Sequence, residues 1–187
     1  ASSSGPALPN TTMPTPSAFA ANGMLYVGTG AQGGDASRPF FAIRPGASGD
    51  ISLKADESNN AFIAWSHPRA SGYTPSPVLV DGRLYLLHDT GIMAVLDAET
   101  GKELYKARVG GVGHTFSASP LVAGGRIYFF DEEGTTIVVT PGAEYKEVRQ
   151  NSLDEMTLAS PAVADNSLFI RTETKLYRIS EPGLPRR

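Results

Sequence analysis

The chain has 187 residues, enough for one domain with a hydrophobic core, and no cysteine, which excludes disulfides and thiolate metal sites. Its formal net charge of −3 gives no basic footprint and argues against nucleic acid as a partner. Twenty glycines and fourteen prolines suit a turn-rich all-β chain, and no apolar run approaches the roughly 18–20 residues of a membrane helix.

Ala1–Pro16, ASSSGPALPNTTMPTP, has almost no apolar periodicity and reads as a linker or extended arm. Ser17–Ala21 and Met24–Gly28 predict the first hairpin. The Gly-rich loop of residues 29–39 lacks the Lys-Ser/Thr pair and the following helix that a phosphate loop requires. Phe40–Ile43 is a third strand. Pro45–Asn60 is an insertion, and Phe62–Ser66, with the only Trp, is a fourth strand. The best-formed unit follows. Strands are predicted at 78–80, Leu84–Leu87, Ile92–Leu96 and Glu103–Val109, separated by Asp81-Gly82, a polar turn and DAETG. Each connection is too short to cross over, so the unit is an antiparallel meander. A third unit has strands at Thr135–Val139 and Tyr145–Gln150. The last has Ala162–Ala164, Leu168–Arg171 and Lys175–Ile179, then ends in Glu181–Arg187 without a fourth strand.

The units repeat. SPVLVDGRLYLL starts at Ser76, SPLVAGGRIYFF at Ser119 and SPAVADNSLFIR at Ser160, with a looser copy, SAFAANGMLYV, at Ser17. Each places a turn pair before an aromatic strand. Four strands in a period of roughly 40–45 residues are the signature of a β-propeller blade. The fold class expected is therefore all-β, a propeller of four-stranded blades. About four blades are present, approximately 17–67, 76–109, 119–150 and 160–180, as half of a seven- or eight-bladed ring. A blade without its outer strand leaves an open sheet edge. The ring could be completed by further chain, by a second copy, or by Leu8–Pro16 folding back, and a C-terminal part of a longer protein is the favoured reading.

Gly91–Tyr105, GIMAVLDAETGKELY, resembles the repeat of the PQQ-like propellers, including the BamB type, with Tyr105 where Trp is commoner and Trp65 at the equivalent place one unit earlier. The stretches 42–53, 64–69, 73–85, 116–129 and 158–179 are similar to the C-terminal half of bacterial secreted PQQ-like repeat proteins. The resemblance implies a periplasmic or secreted location. Such folds host both enzymes and scaffolds. A quinoprotein dehydrogenase of this kind needs a Ca²⁺ site, a catalytic Asp, an Arg beside the quinone, and commonly a vicinal disulfide and a stacking Trp. This chain has no Cys, and no Asp/Asn/Glu cluster matches the calcium pattern. No cofactor is expected, PQQ with calcium included, and no catalytic or metal residue is assigned.

In propeller geometry the turns between second and third strands share a face with the connections between blades. Asp89, Glu132, Glu133 and Glu173 belong to or adjoin the turns; Arg69, Tyr73, His114, Phe116 and Glu155 belong to the connections. These residues form the candidate binding face, and Tyr73 and Phe116 are its expected exposed aromatics. The function expected is a non-enzymatic binding or scaffolding module holding a protein partner, or the remaining half of the propeller, through loop faces or the open edge. The alternatives are a fragment of a PQQ- or metal-dependent dehydrogenase and a carbohydrate-binding propeller. The repeated Ser-Pro serines are expected to cap backbone at the start of each innermost strand.

Overall fold

The computed structural model of the protein describes residues 15–29 and 38–180. Most of the N-terminal arm and of the Gly-rich loop, the tail Glu181–Arg187, and most of the fold-back segment Leu8–Pro16 lie outside the described residues.

Among the described residues, fifteen strands form four antiparallel sheets, each in simple chain order. The first sheet is β1 (Phe19–Ala21), β2 (Met24–Gly28), β3 (Phe40–Ile43) and β4 (Ile63–His67). The second is β5 (Val78–Val80), β6 (Arg83–Leu87), β7 (Ile92–Asp97) and β8 (Glu103–Arg108). The third is β9 (Leu121–Ala123), β10 (Arg126–Phe130), β11 (Thr135–Thr140) and β12 (Lys146–Ser152). The fourth has three strands among the described residues, β13 (Ala162–Ala164), β14 (Ser167–Arg171) and β15 (Leu176–Ser180). No helix among the described residues is long and apolar enough to cross a membrane.

Each sheet opens with the same hairpin. The turn pairs Asn22-Gly23, Asp81-Gly82, Gly124-Gly125 and Asp165-Asn166 all have positive φ at both positions. That is the two-residue turn whose twist matches the flanking strands, and Asn, Asp and Gly are the residues that tolerate it. Each complete sheet also breaks register once between its third and fourth strands, at Ala42/Ile43, Val95/Leu96 and Val138/Val139. A bulge at the same place in three sheets increases the local twist of every outer strand.

Alternation along the strands sends side chains to two different neighbours. Met24 and Tyr26 of the first sheet pack with Leu84, Leu86 and Leu96 of the second. Tyr85, Leu87, Met93 and Val95, on the second sheet's other face, pack with Ile127, Phe129, Ile137 and Val139 of the third. Tyr128 and Phe130 meet Leu168 and Ile170 of the fourth. The core is thus three inter-blade layers in series. Each blade thus buries its apolar side chains against neighbours, as expected for a repeat architecture.

Two side-chain devices join the blades. Trp65, on β4, donates from Nε1 to the Ala98 carbonyl at 3.1 Å, and Tyr26 donates its hydroxyl to the same oxygen. The DAETG turn that receives them is built by Asp97, which accepts from the Thr100 N–H and hydroxyl at 2.8 and 2.6 Å. This turn is thus the dock for the preceding blade. The second device is the serine series. Ser17 N–H donates to Ser76 Oγ, Ser76 N–H to Ser119 Oγ, and Ser119 N–H to Ser160 Oγ, at 2.9, 3.0 and 2.9 Å. The hydroxyls cap backbone as expected, but the backbone of the preceding blade.

Candidate functional site

The turns and connections assigned to one face interleave through backbone hydrogen bonds. Ser71 N–H donates to the Arg38 carbonyl, and Phe116 N–H to that of Asp89. Glu132 N–H donates to Thr115, Thr157 N–H to Glu132, and Glu173 N–H to Met156. Each connection is therefore sewn between the turns of the two blades it joins, and Asp89, Phe116, Glu132 and Glu173 stand in a single run.

The side chains of this face engage one another. Asp89 pairs with Arg38 at 2.7 Å, a link between the first two blades. His114 Nδ1 lies 2.5 Å from Asp131 Oδ2, while the Thr135 N–H donates to the other carboxylate oxygen at 2.5 Å. Asp131 is fully buried. Glu132 accepts from Ser117 at 2.5 Å and Thr115 at 3.2 Å. Glu155 accepts from the Thr172 and Thr174 hydroxyls, and Lys175 approaches to 3.8 Å. Those hydroxyls hold the Glu155 carboxyl below the usual carboxylate range.

Three of these links have the same spacing: His114 to Asp131, Thr115 to Glu132 and Glu155 to Thr172 are each 17 residues apart. The same step runs from Ser71 to His88, where the histidine instead bonds the Ala70 backbone. Burial, with Arg38 beside it, lowers the His88 pKa, and its Nε2 has no partner. The pattern is a repeated clasp between connection and turn. Asp131, Ser117, Arg38, Thr172 and Thr174 are the partners that sequence reading missed. The signal available for Asp131 and Thr172 was the 17-residue step.

Arg69, Glu133 and Glu173 are exposed, and Tyr73 is half-buried, with its carbonyl accepting from the Thr15 hydroxyl. Phe116 corrects the expectation of an exposed aromatic. It is fully buried in the layer between the second and third blades, its ring 6.3 Å from that of His114. The connection must plug the end of that layer, and a large apolar ring does so better than solvent. The aromatic pair that would have offered a sugar-stacking platform is therefore not formed.

A calcium-bound quinone needs several carboxylate or amide oxygens converging on one point, with a carboxylate left as base. The described residues do not fit this demand. Asp89, Asp131, Glu132 and Glu155 are each directed at a partner within the chain, and no group of three or more His, Asp or Glu that could hold a metal ion occurs among the described residues.

A serine-stapled series of blades, the first two docked by aromatics on the next blade's turn, invites comparison with known propellers. The profile of the family described as outer membrane protein assembly factor BamB matches residues 57–175, well over half of the chain. The chain belongs to this family. Among solved structures, BamB from Moraxella catarrhalis superposes with a TM-score of 0.58 at 13% identity, covering 84% of this chain and 43% of that one. The quinohemoprotein alcohol dehydrogenase ADHIIG from Pseudomonas putida HK5 gives 0.56 at 14% identity, over 82% of this chain and 27% of that one. The computationally designed Ika8 protein gives 0.57 at 13%, over 87% and 45%. These likenesses show the fold, and the chain spans under half the length of each. No curated protein sequence matches it.

Proposed function

We propose that this BamB-family chain is a non-enzymatic binding or scaffolding module of the bacterial envelope or exterior, with residues 17–187 as one propeller segment. It holds a protein partner at the open edge of its last blade. The observation that carries this reading is β15. It is the outermost described strand of its sheet, and it exposes Leu176 at 68% and Ile179 at 46% beside backbone groups that no fourth strand among the described residues covers. An open edge of this kind takes an extended protein segment by strand addition: main-chain bonds give affinity and alternate side chains give selectivity. The loop face supports the reading from the other side, because its Asp89, Asp131, Glu132 and Glu155 carboxylates are committed to partners within the chain. The envelope assignment rests on the family.

Two measurements test it. A photocrosslinking residue at position 176, in cells that express the protein, should trap one protein partner, and trapping should disappear when Ile179 is changed to Asp. Reconstitution with PQQ and Ca²⁺, followed by a dye-linked alcohol oxidation assay, should give no turnover. Turnover would overturn the binding reading in favour of a quinoprotein fragment.

A further inference from the structure

The chain has three histidines, and two of them hold consecutive residues of one connection. His67, at the end of β4, accepts at Nδ1 from the Arg69 N–H at 3.3 Å. His88, in the turn after β6, bonds the Ala70 backbone through one ring nitrogen, and its Nε2 is buried with no hydrogen-bond partner among the described residues. The first blade thus grips residue 69 and the second blade residue 70. The tightest part of the connection follows. Ala70 and Ser71 are buried, the Ser71 N–H donates to the Arg38 carbonyl at 3.0 Å, and a Cβ on Gly72 would lie 2.2 Å from the Leu87 carbonyl oxygen. Arg38 in turn pairs with Asp89, the neighbour of His88.

Both grips require a neutral ring. A proton on His67 Nδ1 removes the acceptor for Arg69, and a proton on His88 Nε2 creates a buried N–H without an acceptor beside Arg38. The surrounding charges do not reverse this. Glu103 lies 3.9 Å from His67 Nε2, but Lys106 sits 2.7 Å from the same carboxylate oxygen. Around His88, Arg38 and Lys106 stand against Asp89, which Arg38 already holds, and Arg108 is engaged on the Thr90 carbonyl. Burial, ahead of any of these charges, pushes both rings below the ordinary histidine value. The seam between the second and third blades is built the other way. Its histidine, His114, has Nδ1 at 2.5 Å from the buried Asp131 carboxylate, so a proton added there meets an opposite charge.

We infer that the seam between the first and second blades is an acid-sensitive latch: as pH falls from about 7 to about 5, residues 68–75 release from the turn 88–91, while the seam between the second and third blades stays closed. A histidine whose folded value lies below its unfolded one takes up a proton more readily once released. The closed latch is therefore fully favoured above the unfolded value, about 6.5, and loses stability as pH falls through it toward the folded values. Each of the two histidines raises the open population by up to about tenfold per pH unit within that window. The latch lies far in sequence from β15, so it stands or falls separately from the strand-edge reading of function.

Amide hydrogen exchange read by mass spectrometry, corrected for the intrinsic pH dependence of exchange, tests the latch. Between about pH 7 and about pH 5, peptides covering residues 68–75 should lose about tenfold or more of their protection, while those covering 110–117 and β10 keep theirs. His67→Asn and His88→Asn each retain a short side-chain amide for the neighbouring backbone and cannot titrate. Each should reduce the loss, and the double variant should abolish it. The imidazole proton resonances of the unmodified chain give a readout that needs no variant: those of His67 and His88 should titrate below about 6.5. Protection of 68–75 that stays flat across the range overturns the proposal. So does an equal loss at 110–117, a loss that persists in the double variant, or titration of His67 and His88 at or above about 6.5.

Discussion

The second and fourth blades begin with the same motif and end in different surroundings. Between the second and third blades ten residues are buried in one layer, among them Tyr85, Phe116 and Phe129 at zero exposure. Between the third and fourth the buried hydrophobic residues among those described are Ala118, Phe130 and Ile170. The hairpin, the aromatic position and the strand order are alike in both. The difference is what lies beyond. The second blade has neighbours on both faces and a fourth strand outside; the fourth, among the described residues, has one neighbour and three strands. Burial in a propeller is thus a property of position in the series more than of local sequence, as nearest-neighbour coupling requires.

That contrast can be broken most sharply by removing one large side chain from each layer. Phe129→Ala should cost about 3–5 kcal/mol, because its many fixed neighbours cannot collapse into the space. Ile170→Ala should cost about 2 kcal/mol, since the thinner layer around it relaxes more readily. Urea unfolding with a fixed m-value checks both, and equal losses would show the outer layer to be as tightly held as the inner.

A second break targets the dock. Gly101 has φ +71°, and a Cβ there would lie 2.4 Å from Cδ2 of Trp65. Gly101→Ala should therefore destabilise by about 2–4 kcal/mol, combining left-handed backbone strain with overpacking. The loss should be accompanied by a shift in Trp65 emission as the ring leaves the turn. Residues 141–142 of the third blade, Pro-Gly, form the corresponding dock, where the Gly142 N–H donates to Tyr85 Oη at 2.9 Å. Gly142 has open space around its Cβ position, so Gly142→Ala should be nearly silent.

Much of this was legible in the sequence. The strands differ from expectation by only a residue or two at several ends, because turn pairs with positive φ and alternating apolar residues leave few registers open. The repeat supplied the fold and the family. Two things could not be read. The outcome for Phe116 depended on which way a Gly-rich connection turns, and nothing in GGVGHTFS encodes that without the blade it closes over. The loop-face carboxylates look like solvated turn residues in the sequence; their partners lie 15–51 residues away. Only a comparison of units at the 17-residue step would have paired His114 with Asp131.

A smaller effect separates the interior junctions of the serine series from its ends. Ser119→Ala leaves the half-buried Ser76 N–H without its acceptor and should cost about 1 kcal/mol. Ser17→Ala, at a hydroxyl with no partner among the described residues, should cost nothing measurable. A double-mutant cycle of Ser119→Ala with Val78→Ala would show whether the bond and the layer beside it act together; additivity would make the series a set of independent staples.

The smallest effect distinguishes the DAETG turn from its counterpart in the third blade, which has Thr140 where Asp97 stands. Hydrogen bonds from the Thr100 hydroxyl and N–H hold the Asp97 carboxyl below its ordinary range. Its folded pKa is thus lower than its unfolded one, so the folded chain takes up the proton less readily than the unfolded. The stabilisation is complete above the unfolded value, about 3.9, and is lost as pH falls through the folded value. Solvent around the turn keeps the contribution well under about 1 kcal/mol. It can still be isolated, because the sole Trp of the chain sits on this turn. Acidification below pH 4 should loosen the Trp65 environment before global unfolding. Asp97→Asn should flatten that early transition, while Thr100→Val, which removes one of the two donors, should move it to higher pH. An early transition unchanged in Asp97→Asn would assign it to another carboxylate and leave this turn a dock indifferent to charge.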